Sequence, residues 1–441
     1  MKRHLVMASL LALLPCGLAA QDAPPAPPQT QGDTREFPAP QQVEGQAFEV
    51  RPPENPNDQP LFREQTRAPY HKTASYKVTT ITDKLHLPWS IAFLPGGKML
   101  VTEKFPGQMR VVSPDGAVSE PLTGLAMLAP SRKLGLLDVV LAPDFAKSHR
   151  IYFSFYENLG PGYSNTDLAH GVLDEASGAV HDVTVIFRGS PTLAAKNFSS
   201  KQGGRIVFAR DGSIFMTMGD RDANVQADYA AAYAQKLDNH LGKIIHITPE
   251  GLPAADDPFL KTQGALPEIW AYGLRDPQGM SFDPNTGLLW ENEHGPRGGD
   301  ELNIIRRGKN YGWPIITRGK NYPGEPIGEG TAKAGMEQPV YYWDPVIAPS
   351  SQVHYRGKLF PQWNSSLFVG ALRGIGIYRL EIKNNKVVAE EPLLTELKTR
   401  IRDVRVGPDG AVYVLTEQKA LLKLTPAGKP EASAPRLRKP A

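Results

Sequence analysis

Six times between residues 91 and 418 the chain repeats one unit: an apolar strand, a Pro, Asp or Gly turn, a second apolar strand, and often Thr, Glu or Asp at its end. The units start at Ile91 (IAFLPGGKMLVTE), Val139 (VVLAPDFAKSHRIYFSFYE), Ile206 (IVFARDGSIFMTMGD), Met280 (MSFDPNTGLLWENEH), Val353 (VHYRGKLFPQWNSSLFVGAL) and Val404 (VRVGPDGAVYVLTEQ). A lone hairpin cannot bury both faces, so such units stack on one another, and their spacing leaves room for four strands each. The closed solution is an all-β, six-bladed β-propeller with four-stranded antiparallel blades around a central channel. A sandwich would not need six similar units. Ring closure is expected to pair residues 76–81 with residues 420–424. The Ala/Gln-rich stretch 228–241 is expected to hold a short helix on one face. Gly and Pro, at 41 each, supply the turn chemistry that many short strands require.

The two ends read differently. Residues 1–20 have the form of a secretory signal: Lys2, Arg3 and His4, then an apolar run over residues 5–14 too short to span a bilayer, then Ala19 and Ala20. That predicts a periplasmic or secreted protein. The single cysteine, Cys16, lies inside this segment, so the mature chain has no thiol; a lipid anchor on Cys16 ranks below simple secretion because Pro15 precedes it. No later run is apolar enough for a membrane span. Residues 21–70, rich in Pro, Gln and Asp, are expected to form a disordered linker, residues 71–426 the propeller, and residues 427–441 a disordered tail. A formal net charge of +3 argues against a general nucleic-acid binder.

The chemistry gathers in residues 292–313, NEHGPRGGDELNIIRRGKNYGW, which follow the second strand of the fourth hairpin and so belong at a channel rim. Loop carbonyls together with the adjacent Asp300 and Glu301 are the oxygen donors that a hard cation such as Ca²⁺ takes. A basic set joins them: Arg275, Arg373, and Arg400 with Arg402, which alternate along an incipient strand and share one side. Arginine forks fix planar carboxylates, so convergence of the four on the channel mouth would build a site for a polyanionic ligand. Lys201 precedes Gly203 and Gly204, which allow close backbone approach; it reads as a solvated rim charge or as a functional amine. The same logic places residues 219–221 and 416–417 near a rim.

Several stretches resemble the soluble PQQ-dependent aldose sugar dehydrogenases, the glucose/sorbosone dehydrogenase family of six-bladed propellers. They include LPWSIAFLPGG, LGLLDVVLAPDF, GGRIVFARDG, LDNHLGKIIHI, EIWAYGLRDPQGM, NEHGPRGGDELNIIRRGKNYGWP, FVGALR and RIRDVRVGPDG, and the similarity runs from about residue 87 to residue 424. The resemblance implies pyrroloquinoline quinone (PQQ) over the channel mouth, its carboxylates held by Arg275, Arg373, Arg400 and Arg402, with Tyr322 lining the site. It implies a cofactor-side Ca²⁺ on the carbonyls of Gly295 and Pro296, and a structural Ca²⁺ on Glu301 and the Tyr311 carbonyl. It implies a small sugar as substrate, whose C1 hydride passes to the quinone while a base takes the hydroxyl proton, and an electron acceptor that the sequence does not name.

Three positions depart from the family pattern. Lys201 stands where the family has its general-base His, Lys133 where it has a Gln before GLLD, and Asp276 where it has the Asn of R-N-P-Q-G. Asp276 and a lysine are therefore candidates to pair. Lys201 can serve as the base if its pKa is pulled down; it can also bind an acidic sugar, or condense with the quinone and abolish turnover. Three readings stay open: an active PQQ sugar dehydrogenase, a non-catalytic propeller binding PQQ, another anion or a partner, and a calcium-dependent propeller lactonase.

Overall fold

The computed structural model describes residues 42–125, 135–160, 163–191, 193–194, 201–222, 229–374 and 376–428. Strand β1 is Tyr76–Thr82. The first blade holds β2 (Pro88–Phe93), β3 (Met99–Glu103) and β4 (Gln108–Val112), and the second holds β5 (Gly135–Leu141), β6 (Arg150–Gly160), β7 (Tyr163–Asp174) and β8 (Ala179–Arg188), with the short β9 (Leu193–Ala194) paired on β7. The third holds β10 (Gly203–Phe208), β11 (Ile214–Met218), β12 (Lys243–Ile247) and β13 (Ile269–Tyr272). The fourth holds β14 (Pro277–Phe282), β15 (Leu289–Glu293), β16 (Asp300–Ile305) and β17 (Tyr341–Trp343). The fifth holds β18 (Pro349–His354), β19 (Ser366–Ala371), β20 (Gly376–Lys383) and β21 (Lys386–Leu393). The sixth holds β22 (Ile401–Val406), β23 (Val412–Thr416) and β24 (Leu421–Pro426), and β1 completes it.

All ladders within the blades are antiparallel, and the first strands of neighbouring blades touch in a closed circle, β2 to β5 to β10 to β14 to β18 to β22 and back to β2. The protein is therefore a six-bladed β-propeller. The ring closes where the sequence placed it, from Tyr76 against Pro426 to Thr82 against Leu421. Among the described residues the first blade has no regular fourth strand. Residues 118–122 run beside β4, with the Ser119 N–H on the Val111 carbonyl and the Leu122 N–H on the Met109 carbonyl, both at 2.9 Å. Pro121 lies between them and has no N–H to give, so the ladder stays broken.

Three of the hairpin turns share one device. Asp211, Asp283 and Asp409 each accept, through Oδ1, the backbone N–H two residues on (Ser213 at 2.9 Å, Asn285 at 2.9 Å, Ala411 at 3.1 Å). In two of them the intervening glycine, Gly212 or Gly410, takes φ of +90° or +79°, a left-handed conformation that a residue with a Cβ resists.

In every blade the register between first and second strands slips once, at the start of the inner strand: at 88–90, 136–139, 203–206, 277–279, 349–352 and 401–403. A bulge re-aims the residues around it. Here polar side chains turn into the channel and tie blade to blade. Asp138 Oδ2 accepts the Ile206 N–H at 2.9 Å, Ser351 Oγ accepts that of Val404 at 2.6 Å, and Asp403 Oδ2 accepts that of Ile91 at 3.1 Å. Two arginines cross the channel to the same two acids. Arg205 Nη1 lies 3.0 Å from Asp138 and 3.2 Å from Asp403; Arg405 lies 2.8 Å and 3.0 Å from them. Arg205, Asp138 and Asp403 are buried.

Among the described residues, the short helix expected within 228–241 takes the form of two 3₁₀ turns, Tyr229–Ala231 and Tyr233–Gln235. One expectation is corrected. The segment read as a disordered linker up to residue 70 is, from residue 42, a strap laid on the fourth and fifth blades. Phe48, Ala68 and Tyr70 are buried in an apolar cluster with Tyr341, Trp343 and Tyr378. Arg67 donates to the carbonyls of Glu49, Arg51 and Asp344, each at 2.8 Å. Average composition predicted disorder; a few anchors whose partners lie on the propeller decide otherwise.

Candidate functional site

The mouth lies at the end of the channel where the inner strands begin and the second strands end. Lys201, Arg275, Asp276, Arg400 and Arg402 precede or open inner strands, and Lys104, Asp220, His294, Arg373 and Glu417 follow second strands. One alternation rule thus gathers ten residues from five blades.

Arg275 sits at the centre. Its Nη1 donates to the carbonyls of His294 (2.9 Å) and Gly295 (2.7 Å), and its guanidinium lies 5.2 Å from the centre of the Trp313 ring. Its Nε is buried with no acceptor among the described residues. Burial works against its charge, but Asp220, Tyr322 and Asp276 outweigh it and raise its pKa. Trp313 Nε1 donates to Asp220 at 2.8 Å, and the Asp220 N–H donates to the Arg275 carbonyl at 2.8 Å. Lys201, mostly buried, lies 3.3 Å from Asp220, 2.7 Å from Asp222 and 6.0 Å from the Trp313 ring.

Asp276 does not pair with Lys201. It faces His294, Nδ1 to Oδ2 at 3.4 Å, and accepts from Gln278 Nε2 at 2.7 Å. His294 Nε2 donates to the Pro349 carbonyl at 2.8 Å. Burial lowers the His294 pKa; Asp276 opposes this, and Arg275 and Arg402 add to it. Arg275, bonded to the His294 carbonyl, and Arg402 thus act from different blades on the charge of one imidazole. Burial, then the Arg402 guanidinium, lowers the Lys104 ammonium to about 8. Burial pushes the Glu417 carboxyl up, but Arg402 and Arg400 outweigh it and hold it at about 2. Arg402 Nη2 lies 2.7 Å from Glu417, and Arg400, half exposed, pairs with the same carboxylate.

Arg373 stands on the rim, half exposed, 3.7 Å from Glu54 of the strap. Glu54 also takes Arg297 Nε at 2.9 Å, and Arg297 Nη1 donates to the Tyr322 carbonyl at 3.3 Å. The Tyr322 side chain is 66% exposed, so it borders the mouth rather than filling it. Lys133 lies outside the described residues.

Beneath the rim is a small cavity lined by Glu293, Glu301, Gly295, Pro296, Tyr311 and Arg275. Glu293 and Glu301 face each other across the β15–β16 ladder. Burial raises Glu291 and Glu293 well above the usual glutamate range and Glu301 to about 7. Glu291 Oε1 and Asn303 Oδ1 are buried without partners among the described residues. Crowded buried carboxylates and orphaned acceptors are what a bound Ca²⁺ would satisfy, so the donor set fits. Asp300 does not share this role. Next to Glu301 on a strand, it points the other way, and it accepts three backbone N–H groups: Gly295 at 2.7 Å, Ile347 at 2.7 Å and Ala348 at 2.6 Å. It shapes the loop. The Gly295 carbonyl, assigned by resemblance to a cofactor-side Ca²⁺, here accepts Arg275.

The planar tricarboxylate of PQQ also suits the mouth, where the Arg275 Nε lacks an acceptor and the Trp313 face lies beside two cations. Sequence reasoning missed Lys104, Glu54 and Glu293. Lys104 was findable, because it occupies the strand-end place that NEHGP fills in the fourth blade; Glu54 had no local signal.

The chain matches the Glucose / Sorbosone dehydrogenase family over residues 85–423. It is 42% identical over 357 residues to the aldose sugar dehydrogenase YliI of Escherichia coli, covering 80% of this chain and 94% of that one. The crystal structure of the soluble E. coli aldose sugar dehydrogenase in its apo form superposes with a TM-score of 0.74 at 41% identity, covering 80% of this chain and all of that one (100%). The PQQ-bound aldose sugar dehydrogenase of Streptomyces coelicolor gives 0.63 at 26% identity, covering 80% and 98%.

Proposed function

The chain belongs to the glucose/sorbosone dehydrogenase family of sugar dehydrogenases, and from that premise we propose that it is a periplasmic or secreted quinoprotein that oxidises the C1 hydroxyl of an aldose to the lactone. The observation that carries this reading is the buried Arg275, set against Trp313 with a guanidinium nitrogen lacking an acceptor among the described residues, above a cavity lined by the buried carboxylates of Glu293 and Glu301. PQQ, when bound, supplies the two-electron acceptor for the C1 hydride. Arg275 and Arg402, with Lys104 beside them, would hold its carboxylates, and Arg373 and Arg400 would complete the basic rim beside Tyr322. Glu301 and the Tyr311 carbonyl would hold a structural Ca²⁺. The carbonyls of Gly295 and Pro296 would hold a second Ca²⁺ once Arg275 turns from Gly295 to the ligand.

Lys201 stands at the place of the base. An ammonium has no lone pair, so accepting the sugar proton requires the neutral amine. Asp222 and Asp220, at 2.7 and 3.3 Å, pair with Lys201 and do not deprotonate it, so its proton would have to leave to solvent before the amine could take the hydroxyl proton. The same ion pair favours a second reading, a propeller that binds the quinone without turnover. Titrating the apo-protein with PQQ plus Ca²⁺, following the quinone absorbance, and then adding a panel of aldoses separates the two. Reduction by a sugar supports the dehydrogenase, binding without reduction supports the second reading, and no binding removes both.

A further inference from the structure

The strap carries a carboxylate into the basic rim. Residues 42–70 precede the stretch that matches the family, which begins at residue 85, yet they are fixed against the fourth and fifth blades at one point of the mouth. The N–H groups of Glu54 and Asn55 donate to the two oxygens of Asp344, at 2.7 and 3.0 Å, and Asn55 Nδ2 donates to the Arg318 carbonyl at 3.0 Å. Asp58 pairs with the buried Arg318 at 2.8 Å. With its backbone so held, Glu54 divides its two oxygens between two blades: Oε2 lies 2.9 Å from Arg297 Nε, in the loop after β15, and Oε1 lies 3.7 Å from Arg373 Nη2, after β19. Its side chain is largely buried, at 16% exposure, whereas that of Arg373 is 51% exposed. The acid is therefore the fixed partner and the arginine the movable one.

We propose that Glu54 is an affinity-setting residue of the mouth, a resident carboxylate that occupies Arg373 and Arg297 and weakens their hold on an anionic ligand. The inference rests on the mouth being the quinone site. A carboxylated ligand reaching Arg373 displaces or shares the guanidinium with Glu54, and it meets a fixed negative charge at close range. Removing that charge while keeping the side-chain shape strengthens binding by about threefold to tenfold at low salt, the range for one unit charge several ångströms away when water screens the exposed rim. The gain shrinks as salt screens the rim.

The test is a fluorescence titration of apo-protein with PQQ at saturating Ca²⁺, comparing wild type, Glu54→Gln, Arg373→Gln and the double variant, with melting temperatures as a folding control. Glu54→Gln is expected to bind more tightly by that factor, Arg373→Gln more weakly, and the double variant more tightly than Arg373→Gln by a smaller factor, because the acid acts through Arg373 as well as through Arg297 and its own charge. Equal or weaker binding by Glu54→Gln, with wild type binding normally, overturns the role of Glu54 and leaves the quinone site standing. No binding by wild type overturns the site itself.

Discussion

Glu390 tests how the strap is anchored. It lies in β21, buried, with Oε1 accepting from Trp343 Nε1 at 2.8 Å and Oε2 from the Tyr341 hydroxyl at 3.0 Å. Its backbone takes the strap on both sides: its N–H donates to the Pro69 carbonyl and its carbonyl accepts the His71 N–H. Burial raises its carboxyl from 4.5 to about 7; the Trp343 and Tyr341 hydrogen bonds oppose this, and Glu49 adds to it. The folded protein thus keeps a proton that the unfolded chain releases. The stability tied to that proton is complete below the unfolded value and is lost as pH rises through about 7. Over roughly 2.5 pH units this amounts to about 3 kcal/mol. Glu390→Gln removes the titration but turns an amide N–H₂ toward one of the two donors, at a cost of about 1 kcal/mol. The variant should therefore be less stable than wild type by about 1 kcal/mol near pH 5 and more stable by about 2 kcal/mol near pH 8.5. For a domain of this size the gain is a melting shift of roughly 2 to 3 °C, readable by calorimetry. The curves of melting temperature against pH should cross. A variant less stable than wild type at every pH would refute the assignment of an uncompensated buried acid.

Two further outcomes follow from the site. Calcium should raise the melting temperature of the apo-protein and chelation should reverse it, whereas Glu301→Gln should lose most of the calcium response; a wild type whose melting ignores Ca²⁺ would remove the structural metal. Lys201→Met should leave PQQ affinity within about threefold while cutting sugar-driven quinone reduction by roughly 10² to 10⁴, the usual contribution of a general base; unchanged turnover would move the base elsewhere.

The architecture was legible because hairpins recur with one composition, and a period survives the loss of individual residues. The pairing of β1 with β24 followed from closure alone. The bulges were not legible: Ser90, Asp138, Arg205 and Asp403 read as ordinary strand residues until a one-residue slip turns them into the channel. The joint electrostatic effect of Arg275 and Arg402 on His294 follows from loops entering and leaving the same rim. The partner of Lys201 was not legible. Asp276 looked available by chemistry, but it follows Arg275 into β14 and meets His294, while Asp220 and Asp222 reach the lysine from the exit of β11. The strap was misjudged because disorder is inferred from averages, whereas Phe48, Tyr70 and Glu54 act one at a time.

The crossed pairs of Arg205 and Arg405 with Asp138 and Asp403 start one residue past Arg402 and four past Lys201. They bridge three blades just below the mouth, so a ligand that enters by the rim would leave by the rim. On the proposed function, sugar and electron acceptor would share one doorway, and a sugar still seated there would keep the acceptor waiting. Turnover there would be alternation: oxidised sugar departs, then the acceptor docks. Steady-state plots for the two reactants should accordingly run parallel, and excess sugar should slow the enzyme by blocking its partner's approach.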